Sequence, residues 1–188
     1  MTSFEKIALV KGFIGPGGIT MISRYMENAL HQEHFERITE KTAMSYGTYG
    51  DPLIELVLAD MLPVVEGITG KELLPTYSFA RVYVKGDVLR PHKDRPACEY
   101  SVTVNVATVG ELWPIWMDTS KNEPEKYVLM SGDAVVYKGC EVEHWRETAT
   151  DTEINVQFML HYVDKNGPFS ELKFDNRDKL GQPFKTEG

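Results

Sequence analysis

The sequence predicts an α+β fold that is mostly β, an antiparallel sandwich or barrel braced by helices near its N-terminal end. Three observations predict it. Apolar residues recur at three- and four-residue spacing in two stretches before residue 70, beyond Thr76 the period falls to about two, and turn residues cut that region into short runs.

In the first stretch Ile19, Ile22, Met26, Ala29 and Leu30 mark one apolar stripe, which predicts a helix from Pro16 to about Arg37. Asp51-Pro52 pairs an N-cap residue with proline at the first helical position. The second helix then runs through Leu53, Val57, Leu58, Met61, Leu62 and Val65 to Gly67 and Gly70. The expected strands are Tyr77–Val84, Tyr100–Thr108, Leu112–Met117, Lys126–Met130, Ala134–Lys138, Val142–Glu147 and Ile154–Val163.

A length of 188 residues without repeats or a long Pro/Ser/Gly linker predicts one domain over residues 1–188. Its parts are a two-helix segment 1–75, a β core 76–164 and a tail 165–188. With 42% hydrophobic and 26% charged residues, a packed core is expected. A net charge of −8 and a pI near 5.2 argue against nucleic acid as partner, because phosphate binding needs a basic surface. No apolar run is long enough to cross a bilayer, and Met1 to Val10 lacks a signal pattern, so a soluble, cytoplasmic protein is expected. Cys98 and Cys140 show no zinc-type spacing and read as two packed thiols.

The chemistry concentrates in two places. In Pro91-His92-Lys93-Asp94 an imidazole and a carboxylate stand two residues apart, so extended backbone projects both to one side. In the run 142–147, Val142, His144 and Arg146 share one face, while Glu141, Glu143, Trp145 and Glu147 share the other. The acidic face must be the solvated one, and His144 and Arg146 point inward. Two His and one Asp make a facial triad that leaves three positions open, which suits non-haem Fe(II). His31 and His34 form a competing pair, but no third ligand is evident there and Glu33 points away from their face.

These residues resemble the 2-oxoglutarate/Fe(II) dioxygenases of the prolyl 4-hydroxylase-like group, including small bacterial and phage members. The likeness runs from about Leu9 to Asp164, through Phe79 to Gly86, Pro91 to Asp94, Ser101 to Val106, Ser131 to Tyr137, and His144 with its following strand. It implies a double-stranded β-helix (jelly roll) with Fe(II), held by His92, Asp94 and His144, at its open end. 2-Oxoglutarate and dioxygen are the implied cosubstrates, and a small molecule or a peptide is the substrate. It also implies a cosubstrate-facing tyrosine, a place that Tyr83 occupies nine residues before His92.

One departure stands out. Where the group carries Arg or Lys nine or ten residues after the second His, this chain has Glu153, Ile154 and Asn155. Arg146 is expected to replace it, with Arg81 as runner-up and Asn105 as a further hydrogen-bond partner of the cosubstrate. An iron enzyme that does not use 2-oxoglutarate, and an inactive binding module of the same fold, remain open alternatives. The run Trp113-Pro114-Ile115-Trp116 is either pocket lining or a buried hairpin, and Tyr137 and Trp145 read as core or rim aromatics. Specificity is expected from Gly47–Asp51, Asp118–Glu125 and the tail.

Overall fold

The computed structural model describes residues 4–39, 44–119 and 123–181. The chain runs β1 (Ile7–Val10), α1 (Pro16–His31), β2 (Glu36–Thr39), β3 (Met44–Tyr49), α2 (Pro52–Asp60), α3 (Leu62–Thr69), β4 (Leu73–Val84) and β5 (Leu89–His92). It continues with β6 (Tyr100–Gly110), β7 (Ile115–Asp118), β8 (Glu125–Tyr127), β9 (Ala134–Tyr137), β10 (Glu143–Arg146) and β11 (Thr152–Asp164). The strands form the jelly roll: a seven-stranded antiparallel sheet of order β1-β9-β6-β11-β4-β3-β2, and a four-stranded one of order β5-β10-β7-β8.

Alternation along the long strands gives the large sheet two different faces. Ala80, Val82, Val102, Val104, Phe158 and Leu160 point to the helices and pack with Ile22, Met26, Ile54 and Leu58. The alternate residues Tyr77, Phe79, Arg81 and Tyr83 on β4, Thr103 on β6, and Gln157, Met159 and His161 on β11 line a cavity. That cavity is closed on its other side by His92, Ile115 and His144 of the small sheet. Each long strand thus stabilises the fold with one face and builds the site with the other.

Several boundaries differ from expectation. The first helix stops at His31 rather than near Arg37, because Glu33 turns to φ +58° and His34 N–H bonds back to the Ala29 carbonyl, after which the chain enters β2. The second helix is two. Pro63 lies in the first turn of α3, where its missing N–H is harmless, and the chain breaks at Met61. The segment before residue 76 also carries β1, β2 and β3, so it is more than a pair of helices.

Candidate metal centre and cosubstrate pocket

β5 and β10 are antiparallel neighbours, with His92 directly opposite His144. Their rings lie 4.3 Å apart between centroids. Each Nδ1 faces the carbonyl oxygen two residues earlier, Arg90 at 2.8 Å and Val142 at 3.1 Å. A carbonyl only accepts, so both Nδ1 atoms carry the proton and each Nε2 presents a lone pair, that of His144 with the Tyr137 hydroxyl 3.4 Å away. Those Nε2 atoms sit 3.7 Å (His92) and 3.6 Å (His144) from Asp94 Oδ1. The three donors lie within 4.8 Å of one another. Burial, the largest influence on His144, lowers its pKa and keeps the ring neutral as a ligand must be.

Asp94 is positioned as firmly as the histidines. Its second oxygen accepts from Ser101 Oγ at 2.8 Å, and Ser101 Oγ lies 2.9 Å from His161 Nδ1, on β11. With His161 held neutral by burial, its Nδ1–H donates to Ser101 and the serine O–H donates to Asp94. The Asp94 backbone N–H donates to the Gly139 carbonyl at 2.9 Å. A Cβ at Gly139 would stand 2.4 Å from Asp94 Oδ2 and 2.3 Å from the Cys98 carbonyl, so only glycine lets the carboxylate lie there. Asp94, Cys98 and His161 also approach one another, but Ser101 bridges Asp94 to His161, and burial followed by Asp94 pushes the Cys98 thiol far up. That group supports the triad rather than forming a second ligand set.

The cavity beside the triad has a volume of about 380 Å³. Arg146 does not line it: only 2% exposed, the side chain lies behind the wall residue Gln157. It donates from Nη1 to the Trp113 carbonyl and from Nη2 to Gln157 Oε1 at 2.8 Å, while Nε has no partner. Among the described residues no carboxylate pairs with it. Burial, opposed by the phenols of Tyr83 and Tyr137, pushes its pKa down to about 10.

The other expected residues divide. Tyr83 and Arg81 line the cavity, and Tyr83 packs edge-on against Trp113 at 5.0 Å. Arg81 donates to Ser45 Oγ at 3.2 Å and lies over the Phe79 ring. Asn105 is a correction: it faces inward but is committed to the Leu129 carbonyl, Thr108 and Asn155, and does not reach the cavity wall. The Trp113–Trp116 run is split by alternation. Ile115 lines the cavity, Trp113 covers Tyr83 and Arg146, and Trp116 stacks on Trp145 on the opposite side of the small sheet. Tyr137 lies on the wall, 3.4 Å from His144 Nε2.

Of the segments expected to set specificity, Gly47–Asp51 contributes Tyr49 to the wall. The tail contributes Asp175, which holds Arg95 in a two-pronged ion pair at 2.6 and 2.7 Å and accepts from the Tyr49 hydroxyl at 2.6 Å. Residues 120–122 of the Asp118–Glu125 segment, and 182–188 of the tail, lie outside the described residues. Sequence reasoning missed Gln157, His161, Gly139, Arg95 and Asp175. Their roles come from cross-strand register and chain reversal, which leave no local signal.

The sequence matches no protein-family model and no curated protein. The structure is similar to a prolyl-4-hydroxylase from Pseudomonas putida (TM-score 0.67, 13% identity, covering 83% of this chain and 92% of that one). It is also similar to an oxidoreductase of the 2OG-Fe(II) oxygenase family from Burkholderia pseudomallei (0.70, 15%, 86% and 87%). A third similar structure is the epimerase SnoN in complex with Fe3+, alpha ketoglutarate and nogalamycin RO (0.71, 13%, 98% and 90%). The fold is that of the 2-oxoglutarate/Fe(II) dioxygenases, of the prolyl 4-hydroxylase-like kind. Among the described residues no helix is long and apolar enough to cross a membrane.

Proposed function

We propose that the chain is a 2-oxoglutarate- and Fe(II)-dependent oxygenase that hydroxylates a small molecule or a peptide side chain. The observation that carries the reading is the juxtaposition of a complete facial triad with Arg146, a buried cation that lacks an acidic partner among the described residues. His92 Nε2, Asp94 Oδ1 and His144 Nε2 would hold the iron. Arg146 would take the distal carboxylate of 2-oxoglutarate, with Tyr83 beside it. The donor set fits: two neutral imidazoles and one carboxylate leave a metal its open positions, and a planar guanidinium matches a carboxylate.

When bound, iron with dioxygen and 2-oxoglutarate supplies the oxidation that no side chain can. The reaction so supplied would yield succinate, carbon dioxide and the hydroxylated product, with one atom of dioxygen in succinate and one in that product. The protein's part is positional. Ser101 and Gly139 fix Asp94, the carbonyls of Arg90 and Val142 fix the tautomers, and Tyr83, Trp113, Ile115 and Tyr137 keep water from the inner end. Gln157 and the Trp113 carbonyl aim the guanidinium.

The test is an anaerobic titration that reads the metal-to-ligand absorption band of the Fe(II)·2-oxoglutarate complex. One iron per chain is expected, with binding lost in His92→Ala and Asp94→Ala. Arg146→Leu should keep iron but weaken 2-oxoglutarate by about 2–5 kcal/mol, roughly 30- to several-thousand-fold. Arg146→Lys should recover part of that, since an ammonium keeps the charge without the fork. Normal cosubstrate affinity in Arg146→Leu would overturn the assignment.

A further inference from the structure

Arg81 is left over once the site is filled. It lines the same cavity, and among the described residues its side-chain partners are a serine hydroxyl and an aromatic face, with no acid. The second cation of the outer wall, Arg95, is matched by the two-pronged Asp175 carboxylate. On the proposed function, on which this inference rests, the ion and Arg146 are balanced by Asp94 and the dianionic cosubstrate. That leaves the positive charge of Arg81 without a counter-charge in a half-enclosed space.

We propose that Arg81 binds a carboxylate of the prime substrate, and that the substrate is a small organic acid, or an acidic group on a larger molecule, with an apolar body. The wall around Arg81 gives the second half of that description. Tyr49 and Tyr77 stack with centroids 4.9 Å apart and an interplanar angle of 22°, and Phe79 and Met159 complete an apolar, largely aromatic surface. Arg177 lies over Tyr49, Arg95 over Tyr77 and Arg81 over Phe79, so the wall offers an apolar body ring edges and dispersion contact rather than an open stacking face. One unmatched charge favours a monoanion over a doubly charged phosphate, and the planar guanidinium fits a carboxylate bidentately. A volume of about 380 Å³, shared with the cosubstrate, admits one ring-sized group and excludes a large molecule as a whole.

The position of Arg81 separates its role from that of Arg146. Both flank Gln157: Arg81 is its cross-strand partner on β4, and Arg146 holds its side-chain oxygen. Arg146 is shut in behind Trp113, whereas Arg81 belongs to the wall with Tyr49, Tyr77 and Phe79. An anion that enters last meets Arg81.

The experiment uses full-length protein loaded under argon with Zn(II) and 2-oxoglutarate, each loading measured separately. Phenylacetate and its neutral isostere phenylacetamide are then titrated by saturation-transfer NMR. Wild type should bind phenylacetate at least about tenfold tighter than phenylacetamide, the worth of one charge-assisted contact. Arg81→Gln should abolish the difference and leave 2-oxoglutarate affinity within about twofold, while Arg81→Lys retains part of the preference.

Equal binding of the two probes to wild type overturns the proposal, as does an acid preference that survives Arg81→Gln. Displacement of 2-oxoglutarate by phenylacetate, or loss of 2-oxoglutarate in Arg81→Gln, also overturns it by making Arg81 or its neighbourhood the cosubstrate site. A wild type that takes metal but no 2-oxoglutarate sinks the oxygenase reading instead. The same probes on the zinc form then decide the role of Arg81 by the same criteria.

Discussion

At the scale of single residues the site depends on atoms that never touch a ligand. Asp94 would offer one oxygen to the proposed metal because Ser101 holds the other and Gly139 leaves room for it. Ser101→Ala removes the hydrogen bond and should weaken metal binding by about 10- to 100-fold, the usual cost of losing a partner behind a ligand. Gly139→Ala should do at least as much, since its Cβ would collide with Asp94 Oδ2 and with backbone at Cys98, which cannot move aside as a flexible side chain can. Metal titration of both variants, with circular dichroism to confirm folding, checks this; wild-type affinity in Gly139→Ala would show that the carboxylate is not held as described. The three residues that come together as the candidate metal centre were legible in the sequence. His92 and Asp94 share a side of extended backbone, and the three glutamates around His144 forced it inward. Arg146 was legible for the same reason, as an inward charge on that strand. Asn105 was read as inward correctly, but its partners Leu129, Thr108 and Asn155 are brought by strand pairing that local alternation does not encode.

Elements were legible where their signals were local. Asp51-Pro52 opens α2 as expected, and Asp51 Oδ1 accepts from the N–H groups of Leu53 and Ile54 at 3.0 and 3.1 Å. Its other oxygen takes the Tyr25 hydroxyl of α1 at 2.7 Å, which ties the two helices together. Asp51→Ala should therefore cost more than an ordinary cap, about 2 kcal/mol or above, whereas Asp51→Asn keeps most of the capping. Urea unfolding measures both, and an alanine cost below about 0.5 kcal/mol would mean that the cap does little. The missed elements share a physical reason. β5 is four residues long and contains Pro91, which argues against a strand by rule; it is allowed because β5 is an edge strand of the small sheet. β3 reads as a loop, with Ser45, Gly47 and Thr48. Yet Gly47 serves close packing, since a Cβ there would come within 2.6 Å of Ile38 and Phe79 side-chain atoms. The break at Pro63 did carry a local signal, the proline itself, and an unbroken apolar stripe outweighed it in the reading.

Across the whole molecule, three carboxylates clamp segments far apart in sequence, and together with the buried His144 and His161 they contribute to how stability depends on pH. Asp133 joins the turn after β1 to the turn before β9 through Lys11 and the N–H groups of Gly12 and Met130. Asp164 joins the end of β11 to Lys71, and Asp175 joins the C-terminal segment to Arg95 and Tyr49. The Asp164 pKa is lowered chiefly by Lys71. For Asp133 and Asp175 burial works the other way but is outweighed by their hydrogen-bonded partners, and all three lie below the usual value. An unfolded chain therefore binds more protons than the folded one as acid is added, so stability falls with pH. Their contribution is whole above the unfolded carboxylate pKa of about 3.9 and is lost as pH drops through the lower folded values. His161, pushed down to about 4 by burial, acts with the same sign in an earlier window, because only the unfolded chain gains its proton as pH falls from about 6.5. Urea unfolding of the metal-free protein should show stability declining in two stages, a shallow one between about pH 6.5 and 4 and a steeper one below about pH 4. His161→Gln should shrink the first, and Asp133→Asn or Asp175→Asn should shrink the second while lowering stability at neutral pH. Stability that stays level from pH 6.5 down to 3 would mean that these clamps contribute nothing to folding.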